Sequence, residues 1–181
     1  MRLLSLLLLS ISSLFAVPYT VSSSGTFGGS ASTTPMTAPN QTWSFSFLID
    51  SNPLPNSTEL ESTRLPISGF EYRLNGSLVP ANPSGASFYP ALFGGGFDIE
   101  TPEVIVALGP QMFSGTLASP TILPGVYTLG LDQNSVPSRI GDASILGAQV
   151  TIGAAVPEPA SVGLSLLGLV GLGLLLRRAR K

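Results

Sequence analysis

Trp43-Ser44-Phe45-Ser46-Phe47-Leu48-Ile49 decides how this chain is read. Bulky apolar and small polar side chains alternate with period two. On a pleated strand that puts Trp43, Phe45, Phe47 and Ile49 on one face and the serines on the other. Working outward, Phe70-Glu71-Tyr72-Arg73-Leu74 alternates in the same way and runs into Asn75-Gly76, a two-residue hairpin signal, with Ser77-Leu78-Val79 as the return arm. Phe97-Asp98-Ile99-Glu100 continues the theme. Val104-Ile105-Val106-Ala107-Leu108 is apolar throughout and predicts a central strand buried on both faces. Met112–Leu117, Val126–Leu131 and Ala148–Ile152 bring the expectation to about eight strands. The Ser- and Thr-rich stretch Thr20–Thr42 predicts one edge strand followed by a mobile loop.

Turn residues punctuate these runs: Pro53, Pro55, Pro80, Pro83, Pro90, Gly94-Gly95-Gly96, Gly109-Pro110 and Pro124-Gly125. Apolar residues do not recur at helical spacing over more than two turns anywhere between Val17 and Val156. The expected fold is therefore all-β: a single antiparallel β-sandwich, jelly-roll or immunoglobulin-like, over residues 17–155. With no cysteine, no disulfide ties its layers together, and the aromatics and aliphatics must supply the core.

Composition limits the chemistry. The chain has 181 residues, 8 basic and 10 acidic side chains, no His and no Cys, and only 10% charged residues. Its mean hydropathy is +0.41. Without His or Cys, Ser-His-Asp and Cys-His catalysis, zinc fingers and haem ligation are excluded, and neither a cofactor nor a metal is expected. Between Val17 and Val156 the cations are Arg64, Arg73 and Arg139, against Asp50, Glu59, Glu61, Glu71, Asp98, Glu100, Glu103, Asp132 and Asp142, a net charge of −6 without a single lysine. Such a body repels nucleic-acid phosphates and offers no basic stripe to hold them.

The apolar residues that raise the hydropathy lie at the ends. Met1-Arg2 precedes Leu3–Ile11 and then Ser12-Ser13-Leu14-Phe15-Ala16. A positive residue, a short apolar run and a small terminal residue describe a secretory signal peptide, here residues 1–16, that would engage the Sec-type export machinery and signal peptidase. At the other end, Ala160–Leu176 carries no charge and is followed by Arg177-Arg178-Ala179-Arg180-Lys181. A stretch apolar on every face and backed by cations predicts a transmembrane helix over 160–176 in membrane lipid. The basic tail 177–181 would stop on the cytoplasmic side and leave the body outside.

Val156-Pro157-Glu158-Pro159-Ala160-Ser161, the Gly- and Leu-rich run and the basic end together resemble the PEP-CTERM sorting signal of Gram-negative bacteria. The resemblance spans residues 156–181, with its three parts in the expected order. It implies that Pro157, Glu158 and Pro159 form the motif recognised by exosortase, an integral membrane peptidase. It also implies that 160–176 is the retention helix and that Arg177, Arg178, Arg180 and Lys181 are the membrane stop. The body would then pass to the cell surface or the exopolysaccharide matrix. Elementary physics agrees with that role. Two prolines two residues apart remove two backbone donors and hold the segment extended. Pro159 suits the first turn of the helix that follows, and Glu158 sits favourably near its positive end.

Within the body, Asp98-Ile99-Glu100-Thr101-Pro102-Glu103 is the densest acidic stretch. On a strand, Asp98 and Glu100 share a face at about 7 Å, a spacing open to a glycosidase pair or a calcium site but equally that of a solvated strand end. Gly94-Gly95-Gly96 is not a phosphate loop, because no Lys-Ser/Thr follows it. Phe88-Tyr89, beside Pro90, predicts an exposed aromatic pair and is the candidate ligand patch; Trp43 and Tyr72 are expected in the core. The preferred expectation is a non-enzymatic structural or adhesive protein of the cell envelope or exopolysaccharide matrix. A carbohydrate-binding module is the second reading and a hydrolase the third.

Overall fold

The computed structural model describes residues 18–28, 40–50, 54–101, 104–131 and 135–154. Their regular structure is all-β and antiparallel, interrupted by one 3-10 turn at Ala91–Phe93. The expected signal peptide 1–16, transmembrane helix 160–176 and basic tail lie outside the described residues. Among those residues, no helix is long and apolar enough to cross a membrane.

In chain order the strands are β1 (Tyr19–Thr26), β2 (Thr42–Ile49), β3 (Ser57–Thr58), β4 (Thr63–Leu74), β5 (Ser77–Leu78), β6 (Gly85–Phe88) and β7 (Phe97–Ile99). They continue as β8 (Ile105–Ala107), β9 (Phe113–Thr116), β10 (Ser119–Ile122), β11 (Gly125–Thr128), β12 (Arg139–Ile140), β13 (Ala143–Ser144) and β14 (Gln149–Ala154). One sheet runs β11-β14-β1-β2-β4-β6-β7-β8-β12-β13, with β3 and β5 attached to β4, and β9-β10 forms a separate hairpin.

The sheet curls at β4. Its second half pairs with β2 through Phe45↔Tyr72 and Trp43↔Leu74, while its first half pairs with β6 through Thr63↔Phe88 and Leu65↔Ala86. Between the halves the β2 register slips at Ser46/Leu48, and Gly69 adopts φ 59°. A bulge next to a left-handed glycine bends a strand and raises its local twist. The bend brings the inner face of β2 against β7. Phe97 meets Phe47 edge-on with ring centroids 5.5 Å apart, and Phe45 edge-on at 6.1 Å. Phe88 tilts onto Phe97 from β6 at 5.4 Å, so one ring joins three neighbours across the fold.

The period-two reading of Trp43–Ile49 is borne out: Trp43, Phe45, Phe47 and Ile49 are buried, and the residues between them only partly so. The Asn75-Gly76 hairpin is present as well. Both residues adopt positive φ, and Asn75 Oδ1 accepts the Thr42 amide at 3.0 Å, tying the turn to the neighbouring strand.

Three expectations are corrected. β1 is not an edge strand; it lies between β14 and β2, pairing with β2 along its whole length and with β14 over Tyr19–Ser23. Its small residues allow this, since Ser23 and Gly25 leave room for the aromatics of β2 beside them. β8 is buried on one face only: Ile105 and Ala107 are inside, Val106 is half-buried and Val104 is exposed. There are also more strands than expected, because β3, β6, β10, β12 and β13 are two to four residues long. Strands that short carry too few residues to display a period.

Candidate functional site

Across the outer face of β4, β6, β7, β8 and β12 runs one cross-strand row: Arg64, Ser87, Asp98, Val106 and Arg139 are successive register partners. Asp98 is its centre. The Tyr89 hydroxyl donates to Asp98 Oδ2 at 2.6 Å, and Ser87 also hydrogen-bonds the carboxylate. Burial pushes the Asp98 carboxyl above the ordinary aspartate range. The Tyr89 and Ser87 hydrogen bonds and the Arg64 charge pull it back, and the Glu100 charge adds to the rise. Burial, followed by the hydrogen bond and charge of Asp98, raises the Tyr89 hydroxyl well above the usual phenol range.

The glycine turn ahead of β7 positions this pair. Gly94, Gly95 and Gly96 all adopt positive φ, and a Cβ on Gly96 would run into the Ala107 carbonyl. Gly96 donates to the Pro110 carbonyl at 3.2 Å, and the Tyr89 amide donates to the Gly96 carbonyl at 3.0 Å. The turn is therefore a packed corner that returns β7 alongside β6 and sets Tyr89 against Asp98.

The expected aromatic patch is not formed as a pair. Phe88 is fully buried in the core against Phe97, so the expectation that it is exposed is corrected. It alternates with Ser87 on β6, and the strand pairing to β4 and β7 turns it inward. Tyr89 remains half-buried at the surface with its hydroxyl engaged. Asp98 and Glu100 do lie on the outer face, with Glu100 at 4.0 Å from Arg64, but the tyrosine and a serine, not a second carboxylate, hold Asp98. Among the described residues, no group of three or more acidic side chains is arranged to hold a metal ion.

The other outer face carries a feature that the sequence reading passed over. The serines alternating with the aromatics of β2 sit beside those of β1: Ser22 pairs with Ser46, and Ser24 with Ser44. Glu71 and Arg73 on β4 continue these rows, joined by Arg73 Nη2 to Glu71 Oε2 at 3.0 Å. Small side chains flanked by longer ones leave an open groove of about 490 Å³ that also reaches Gln149 and Thr151 on β14. The signal for it lies in Ser44 and Ser46, which occupy the face of β2 opposite its aromatics.

The expected sorting residues Pro157, Glu158 and Pro159 and the membrane-stop residues Arg177, Arg178, Arg180 and Lys181 lie outside the described residues. The last strand ends at Ala154, three residues before Pro157. No curated protein and no solved structure matches the chain. A family model does match its C-terminus: residues 155–181 fit the PEP-CTERM protein-sorting motif. The segment that follows β14 thus carries a PEP-CTERM protein-sorting motif.

Proposed function

We propose that this chain is an exported protein, held at the membrane by its C-terminal helix and handed to exosortase at Pro157-Glu158-Pro159. Its β-domain then serves without catalysis at the cell surface or in the exopolysaccharide matrix. The observation that carries the reading is the sorting-motif match over residues 155–181, which begins one residue after β14 ends. From Ala154 to Pro157 is three peptide steps, at most about 11 Å of extended chain. The folded body therefore sits close above the site of processing.

The curled sheet is best understood as one sandwich whose two layers share β4. The edge-on contacts of Phe97 with Phe45 and Phe47 support it, because they join strands that lie on either side of β4 in the sheet. The N-terminal signal peptide, signal peptidase and Sec-type export belong to the same proposal, supported by Arg2, the leucine run and Ala16.

The test is expression in matched cells with and without a functional exosortase, followed by intact-mass analysis of each fraction. The proposal expects a shortened species in the presence of the peptidase and a membrane-bound species retaining Arg177–Lys181 in its absence. Equal masses in the two strains would refute it.

A further inference from the structure

A cleft of about 590 Å³ lies at the end of the fold away from both chain exits. Thr26 closes β1 there, seven residues along from Tyr19, which pairs with Ala154. At about 3.3 Å per residue the two ends of that strand are roughly 23 Å apart. The walls come from Ser24 and Thr26 of β1, Gly28, Trp43, and the segment from Asp142 to Ala148 that joins β12 to β14. The volume falls within the roughly 300–1,000 Å³ typical of small-ligand sites.

The chemistry of the walls narrows the ligand. Trp43 is only 2% exposed, and its Nε1–H has no acceptor among the described residues. An atom that buried is closed to a ligand in the cleft, so the indole serves as floor and the polar contacts come from the residues around it. Gly25 makes the indole's position feasible, because a Cβ at that residue would stand 2.8 Å from Trp43 Cζ2. Ser24, Thr26 and Ser144 bring hydroxyls that can both donate and accept. Asp142 is the one ionisable residue among those lining the cleft, and it would repel an anion while accepting bonds from hydroxyls.

We propose that this cleft binds a neutral saccharide unit over the buried Trp43 indole, with the hydroxyls of Ser24, Thr26 and Ser144 and the Asp142 carboxylate as its polar contacts. The inference rests on the reading of the chain as a surface or matrix protein and adds a ligand and a place for it. It also moves the ligand site from Tyr89 to the pole that faces away from the membrane when the chain is tethered by its C-terminus.

Trp43 is the chain's single tryptophan, so its fluorescence reports on the cleft directly. The experiment titrates the full chain, in a zwitterionic detergent without a sugar headgroup, with cellobiose, maltose and glucuronic acid. At least one neutral disaccharide should give a saturable emission change with Kd of about 1 mM, with glucuronic acid at least tenfold weaker. Gly28→Phe fills the cleft at a position where a Cβ meets nothing within 4 Å, and should abolish the response at an unchanged melting temperature. Asp142→Ala should weaken binding about tenfold. No saturable response to either neutral sugar up to about 50 mM, equal binding of the acid, or unchanged binding by a folded Gly28→Phe variant would each overturn the proposal. Sorting is read separately, by C-terminal mass, so a failed titration leaves that reading standing.

Discussion

Tyr19 and Ala154 are cross-strand partners at one end of the β1–β14 ladder. The chain therefore enters and leaves the described fold side by side. β14 lies between β1 and β11, so the sheet is incomplete until the last residues before the sorting motif have joined it. The described chain thus begins and ends at one pole of the β1–β14 ladder, and Asn75-Gly76 and the Trp43 cleft lie at the other.

Phe97→Ala should be the most damaging single truncation. It removes the ring that joins Phe45, Phe47 and Phe88 across the curled sheet and leaves a cavity where all four side chains are buried. A loss of roughly 3–5 kcal/mol is expected, a large share of the about 5–15 kcal/mol that holds a domain of this size. Denaturant titration should show the midpoint falling accordingly, whereas Leu60→Ala, at a side chain 95% exposed, should leave it unchanged.

Ser138→Ala should cost about 1–3 kcal/mol despite removing a single atom. Ser138 is fully buried; its Oγ accepts the Leu108 amide at 2.9 Å and lies 2.9 Å from the Leu108 carbonyl and 3.0 Å from that of Gly130. The alanine would strand the Leu108 amide without an acceptor. Thermal melting compared with Ser135→Ala, at an exposed position outside the strands, checks it.

Asp98 makes stability depend on pH in a defined direction. Its folded-state pKa lies above the ordinary aspartate value, so in the window between them the native state binds more proton than the unfolded chain. Its contribution to stability is fully present below the ordinary aspartate value and is lost as pH rises through the folded pKa. Asp98→Asn cannot titrate, so the stability of the wild type relative to this variant should grow as pH is lowered from 7 towards about 4. Tyr89→Phe should raise the Asp98 pKa further, since the 2.6 Å hydrogen bond favours the carboxylate. Melting curves across pH for the three proteins would reveal either trend, and a pH-independent difference between wild type and Asp98→Asn would contradict the assignment.

The legible parts of the fold were the local ones. Trp43–Ile49 and Phe70–Val79 announce strand, facing and turn within a dozen residues, because a period of two and an Asn-Gly pair are properties of contiguous sequence. The central position of β1 was not legible. Its partner β14 lies more than a hundred residues away, and its serines suggest solvent although Ser23 is buried and donates to the Gln149 carbonyl at 2.7 Å. The burial of Phe88 was not legible for a related reason: Pro90 marks a turn, but pairing on both sides of β6 carries the residue into the core. The Tyr89–Asp98 bond depends on the three left-handed glycines folding the chain back, which a glycine run alone does not specify. The sorting motif, by contrast, is written in consecutive residues and needs no fold to be recognised.

The account stands or falls with that tail, and Pro157→Ala/Pro159→Ala tests it at the motif itself. The measurement is the intact mass of the protein in the membrane and released fractions of exosortase-containing cells, wild type beside the double variant. The prediction is a shortened wild-type species and a variant that keeps Arg177–Lys181 and stays in the membrane fraction. A variant cut and released in the same way as wild type would contradict the account.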